Sequence, residues 1–243
     1  MTVPRTPRWR LHRGGIVNVW EFGEQVFDLT EGRAFFQGTN GSGKSRTLEL
    51  LLPLCLDGDF RNLGAKGYDT VSIKKLMLDD YRGGPNRIGY AWIELRRATA
   101  DGGEEFLTSG VGVRASRASQ SIAGSWFFVT PQRIGIDLQL LSTDRVPLDQ
   151  KDLRERIGAD AVMDDHKVMQ QRLATEVYGI EEPRRYEDLL HLLRTLRNPD
   201  VGVKAVEGQL EKYLSMALPP LDPEITRWRL AGRCRATRRR WTR

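Results

Sequence analysis

Gly38-Thr39-Asn40-Gly41-Ser42-Gly43-Lys44-Ser45 matches the phosphate-loop pattern GxxxxGK[ST]. Glycines at these spacings let the backbone curl so that successive N-H groups point into one concavity, and a helix just after the loop aims its positive end at the same spot. Phosphate oxygens suit that concavity. Lys44 is expected to meet the β and γ phosphates as a point charge, and the Ser45 hydroxyl to be one ligand of a Mg²⁺. The residues expected to cradle the nucleotide are Gly38, Asn40, Gly41, Ser42, Gly43, Lys44 and Ser45.

Flanking sequence separates this match from a chance run in a chain with 24 glycines. Arg33-Ala34-Phe35-Phe36-Gln37 reads as a short buried strand leading into the loop. Leu48, Leu51, Leu52 and Cys55 come after it at helical i, i+3, i+4, i+7 spacing. Pro53 should bend or end that helix, because proline removes a donor and crowds the preceding turn.

A chain of 243 residues, 40% hydrophobic and 29% charged, has the length and composition of one globular domain, with room for an appended lobe. The longest apolar run, Leu50 to Leu56, is far short of a membrane span and contains Pro53. Met1 to Gly15 is basic but has no apolar segment of the kind that directs export. Cys55 and Cys234 lack metal-ligand spacing. Reduced thiols in a cytoplasmic protein are the expectation, with no membrane partner. The formal charge of +6 is unevenly placed: residues 227–243 hold eight arginines and no acid, so the other 30 of the 38 Lys and Arg face 32 Asp and Glu. The natural division is therefore 1–226 as the folded part and 227–243 as an Arg/Trp-rich tail.

In chain order, Ile16 to Phe22 alternates as a half-buried strand, Gly23-Glu24 reads as a turn, and Gln25 to Leu29 as its antiparallel partner. Arg8, Arg10 and Arg13 read as a solvated strand edge, with nucleic acid as the alternative contact. Trp20 reads as a core aromatic, with an adenine as the alternative neighbour. Arg61, in the charged loop Asp57 to Asp69, is a candidate phosphate or DNA contact unless it is simply solvated. Thr70 to Tyr81 has a helical period carrying Ile73, Leu76 and Met77, and Gly83 to Asn86 reads as a turn. Arg87 to Arg97, Glu104 to Arg114 and Ser125 to Leu141 read as an antiparallel sheet, with Asp101-Gly102-Gly103 as a hairpin. Helical periods then cover Asp149 to Ile157, Asp164 to Tyr178 (with Val168, Met169, Leu173 and Val177 on one stripe), Tyr186 to Leu196 and Glu207 to Leu218. His166 and His191 lack ligand partners at the right spacing and read as structural.

A phosphate-loop hydrolase also needs an acid at the end of an apolar strand and a group that positions water. Asp79 and Asp137 are the only candidates for the acid, and both are weak: the first lies in a helical pattern and the second comes after a glycine-broken run. No LSGG-like or NKxD-like segment is present, so the chain reads as half of a hydrolytic site, with no catalytic residue assigned.

Gly38 to Ser45 with Phe35-Phe36-Gln37 before it, the helix Leu48 to Leu56 with Asp57-Gly58-Asp59 after it, and Tyr186-Glu187-Asp188-Leu189-Leu190 through Leu218-Pro219-Pro220-Leu221-Asp222 resemble SMC-like ATPases. More narrowly, the chain is similar to the N-terminal half-head of the MukB-like group, such as the SMC-like subunit of Wadjet plasmid-defence cassettes. The resemblance runs from about Trp9 to Ile225. It implies an α/β fold: a P-loop NTPase head lobe of the ABC/SMC type with an antiparallel β-sheet and a C-terminal helical part. It further implies ATP and Mg²⁺ as cofactors, held around Asn40, Gly41, Gly43, Lys44 and Ser45. The implied partners are a C-terminal half-head, a second head, DNA in the full complex, and accessory subunits.

The resemblance also implies an acidic, heptad-bearing coiled coil after Pro223, whereas this chain reads Arg227-Trp228-Arg229 onward to Arg238-Arg239-Arg240-Trp241. A truncated or frame-shifted end is the preferred account, and a DNA-binding arm the alternative. Two rival readings stand beside the half-head. One is a self-contained phosphate-loop kinase or AAA-like ATPase. The other is a non-catalytic nucleic-acid-binding module working through the tail.

Overall fold

A computed structural model describes residues 8–29, 34–39, 41, 43–63, 72–79 and 81–197, without the side chains of Ser45, Glu49 and 195–197. The chain divides into two compact units, Met1–Tyr186 and Glu187–Arg243, and the phosphate loop belongs to the first. The expected helix Glu207 to Leu218, Cys234 and the tail 227–243 lie outside the described residues, as does the stretch 64–71.

The fold is α/β, and the described residues build one six-stranded sheet in which every pair of neighbours is antiparallel. Strands β1 (Arg10–Val19) and β2 (Phe22–Asp28) form a hairpin. The long strands β3 (Asn86–Ala98), β4 (Glu104–Ser116) and β5 (Ser121–Thr130) form a meander, and the two-residue β6 (Val162–Met163) closes one edge. The order across the sheet is β2-β1-β3-β4-β5-β6. The expected hairpin at Asp101 to Gly103 joins β3 to β4, with Gly102 left-handed at φ 86 and the Thr99 N-H donating to Gly103 O at 2.9 Å.

Side chains of one sheet face meet helix α1 (Lys44–Asp57) and helix α4 (His166–Tyr178). On this face Ser109 Oγ donates to Cys55 O at 2.7 Å and lies 3.8 Å from Met169 Sδ. The opposite face carries a ladder in which glycine on one strand stands beside an aromatic ring on the next. A Cβ on Gly15 would come within 2.5 Å of Trp92, one on Gly110 within 2.3 Å of Phe128, and one on Gly112 within 2.2 Å of Trp126. Each pair is also in register across the strands. Large rings thus lie flat across bare backbone and form a thick apolar floor. The irregular segment 131–149 and helix α3 (Gln150–Ile157) cover it with Ile134, Leu138, Leu140, Leu148 and Leu153.

Five expectations are corrected. The third strand ends at Thr130, not Leu141, because Pro131 cannot continue the ladder and Gly135 turns the chain at φ 79. The first hairpin turns at Trp20-Glu21, and Gly23 and Glu24 lie inside β2, where Glu24 pairs with Val17. Of the bend or end expected at Pro53, the end is excluded, because α1 runs on to a left-handed cap at Gly58. The proline costs about 3 kcal/mol, but Leu50, Leu51, Leu54 and Cys55 are buried against the sheet, each worth about 1.5–3 kcal/mol. That buried stripe is also not the expected one, since Leu48 and Leu52 are partly exposed. Finally, residues 34–37 form no strand, and Phe35 is 89% exposed. Phe36 is held instead through its ring, 5.6 Å from the Phe27 ring of β2, without joining the ladder.

The remaining helices fall where the period placed them. Asp149 and Asp165 cap α3 and α4 by accepting the N-H of Asp152 and Lys167 at 2.8 and 2.9 Å. Helix α2 (Ile73–Leu78) buries Ile73, Leu76 and Met77. In α4, Met169 and Leu173 are buried as expected, while Val168 faces out at 53% exposure. Helix α5 spans Pro183–Arg197.

Candidate nucleotide site

The loop opens α1. Gly43, the residue before the helix, has φ 85 and ψ 4, a left-handed conformation that suits glycine. Its carbonyl accepts both the Thr47 N-H at 2.8 Å and Thr47 Oγ1 at 3.0 Å, so the first turn is closed twice. Gly41 is also left-handed at φ 87, and a Cβ there would meet nothing within 4 Å. Lys44 Nζ donates to Gly38 O at 2.7 Å and to Thr39 O at 2.8 Å. The ammonium is thus folded back over its own loop, at the positive end of a fourteen-residue helix.

Of the expected cradle, Gly38 and Lys44 are brought together by the ammonium's bond to Gly38 O, and Gly41 and Gly43 are left-handed. Asn40 and Ser42 lie outside the described residues. Ser45 sits in the first turn of α1, but its side chain, and with it the Mg²⁺ assignment, lies outside them too.

The loop rests on an aromatic seat that the sequence reading did not identify. A Cβ on Gly43 would lie 2.5 Å from Trp20 and 3.1 Å from Phe22. Trp20 meets Phe22 edge-on at 5.5 Å between ring centres, Phe22 meets Phe27 at 6.5 Å, and Phe27 meets Phe36 at 5.6 Å. The available signal was the alternation of Trp20 and Phe22 around a turn, together with Phe27 at the far end of β2.

Downstream of the loop, Asp57-Gly58-Asp59 ends α1. Asp57 is buried, and its carboxylate accepts from Asn62 Nδ2 and from Gln170 Nε2, both at 3.0 Å. Asp59 binds the Arg61 guanidinium through Nε at 2.9 Å and an amino nitrogen at 2.8 Å, and these bonds hold its carboxyl below the ordinary range. Arg61 itself remains 84% exposed.

Neither candidate acid ends a strand. Asp79 caps the C-terminus of α2, and Asp137 lies in a turn where its carboxylate accepts the Arg133 N-H at 3.0 Å. His166 packs its ring 6.1 Å from Phe127. Among the described residues no group of three or more His, Cys, Asp or Glu is placed to hold a metal ion. Arg13 is not a solvated edge residue, because it is bound to the buried Glu94.

No family model matches the chain, and no curated protein matches it. No helix among the described residues is long and apolar enough to cross a membrane.

Proposed function

We propose that this chain is the ATP-binding N-terminal half of an SMC-like head that acts on DNA in chromosome or plasmid maintenance or defence. Taken alone it is not hydrolytically competent. The observation that carries the reading is the loop geometry: two left-handed glycines, Gly41 and Gly43, lead into a helix whose first residue, Lys44, is turned back over the loop carbonyls. Left-handed glycines, a helix N-terminus and an ammonium close together on one short loop are the features that suit a polyphosphate.

Two further observations support a missing half. Phosphoryl transfer depends on charges placed around the γ phosphate, and Asp79 and Asp137 both sit away from strand ends. Phe35 just before the loop is exposed, and Leu48 and Leu52 on α1 are partly so. Apolar groups left out on a lobe of this kind suit a complementary C-terminal half-head, with a second head and DNA as partners of the complete assembly.

The test is a titration of the full chain with a fluorescent ATP analogue and Mg²⁺, repeated for Lys44→Ala, alongside a turnover assay and salt-dependent DNA binding with and without residues 227–243. The expected result is Lys44-dependent nucleotide binding without turnover. Unchanged binding in Lys44→Ala would refute the loop assignment, and turnover by the chain alone would favour a self-contained ATPase. DNA affinity that needs only the tail and ignores ATP would favour a nucleic-acid-binding module.

A further inference from the structure

Trp20 occupies an unusual place for so large a residue. It is left-handed at φ 52, as is Asn18 two residues before it. Bulky residues keep that conformation only where their surroundings over-determine it, and here the determinants are visible. The Trp20 N-H donates to Leu76 O of α2 at 2.8 Å, and its carbonyl accepts from Arg87 of β3 at 2.6 Å. Arg87, 5% exposed, also donates to Met77 O at 3.2 Å and to Asn18 Oδ1 at 3.3 Å, and lies over the Tyr81 ring at 4.7 Å. Asn18 Nδ2 in turn donates to Ile88 O at 2.7 Å. A buried guanidinium thus pins a strained turn to α2 and β3, and what the pinned turn presents is an indole against Gly43.

We propose that Trp20 is a positioning residue for the phosphate loop. Its ring fills the space beside Gly43, so the loop cannot relax out of its left-handed closure without displacing an indole that α2 and β3 hold in place. This rests on the reading of the loop as a nucleotide site and adds to it a mechanical link. The shape of the phosphate cradle depends on the first hairpin, and through Leu76 and Arg87 on the packing of α2. The ring acts on the triphosphate end of the ligand and not on a base, because its contact is with the glycine that opens the helix.

The experiment compares the full chain with Trp20→Ala and Trp20→Phe, titrating each with ATP and, separately, with inorganic tripolyphosphate, which has no base. Far-ultraviolet circular dichroism and melting confirm that each variant is folded. The expected result is that Trp20→Ala weakens both ligands by a similar factor, about tenfold or more, as for other groups that orient a binding shell. Trp20→Phe should restore most of the loss for both ligands. Should Trp20→Ala fail to fold, Trp20→Leu makes the same comparison, since it keeps apolar bulk without a flat ring.

A loss confined to ATP would place the indole on the base and overturn the proposal. Unchanged affinity for both ligands in a folded Trp20→Ala would overturn it as well. A wild-type chain that binds neither ligand would remove the nucleotide reading itself, an outcome distinguishable from the other two because it appears before any substitution is made.

Discussion

Arg13 and Glu94 stand opposite each other on β1 and β3, and the guanidinium grips the carboxylate with both arms, Nε to Oε1 at 3.0 Å and an amino nitrogen to Oε2 at 2.5 Å. Glu94 is fully buried. Arg133, brought in by the segment after β5, reaches the same two oxygens at 3.4 and 3.5 Å while its guanidinium lies 3.8 Å from the Phe106 ring centre. One carboxylate therefore ties β1, β3 and the irregular cover of the sheet together.

Removing that charge leaves two partly buried cations without their counter-ion. Glu94→Gln should lower the unfolding free energy by about 3 kcal/mol, the usual scale for breaking one side of a buried pair. Urea unfolding with an unchanged m-value is the measurement, and a loss below about 1 kcal/mol would mean the cluster contributes little.

The glycine and aromatic ladder makes a second prediction. Gly112→Ala would set a methyl 2.2 Å from the Trp126 indole, on the backbone of a central strand with no room to move. A cost of about 1–3 kcal/mol is expected from overpacking. In a Trp126→Phe background, which removes the indole nitrogen that a Gly112 Cβ would meet, the same substitution should cost less. A double-mutant cycle in denaturant measures the difference, and strict additivity would show that the ring is not the obstacle.

Gly58 links the end of α1 to α4. It is left-handed at φ 70, and a Cβ would meet His166 Cβ at 2.7 Å and both Met169 and Phe127 at 2.9 Å. Gly58→Ala combines backbone strain with a clash and should destabilise the fold by about 2–3 kcal/mol. Thermal melting checks this, and Asp165→Ala, which removes the cap of α4 alone, should cost only about 1 kcal/mol.

Alkaline pH should unfold the chain through its buried tyrosines. Tyr90 donates to Leu148 O at 2.6 Å and Tyr186 to Leu56 O at 2.9 Å, and burial pushes both hydroxyls well above their ordinary value. A group whose acid form is favoured by folding contributes stability that is fully present below the unfolded pKa. Its share is therefore intact below about pH 10 and falls as pH rises from there towards the folded values. Absorbance at the phenolate band should show these two tyrosines ionising only together with the loss of circular dichroism. Their titration in a still-folded chain would contradict the burial argument.

Much was legible from local pattern alone. The phosphate loop, the β3–β4 hairpin at Asp101 to Gly103, and helices α2, α3 and α4 each rest on a period or a turn signal contained within about a dozen residues. Such signals report which backbone conformation a segment prefers. They determined where the glycine loop and its helix lie and that an antiparallel sheet comes after them.

What only the tertiary structure decided depends on groups distant in sequence. Pro53 stays inside α1 because burial against the sheet outweighs its cost, and the first hairpin turns at Trp20 because Arg87, sixty-seven residues later, holds that carbonyl. Phe35 and Phe36 look like a strand on composition, yet a strand exists only where another edge supplies its hydrogen bonds, and none of the described residues does so. The sequence shows Trp20 and Phe22 alternating around a turn but not that Trp20 sits against Gly43, since that contact arises where two turns separated by more than twenty residues are brought face to face by the packing of α1 and α2 on one sheet.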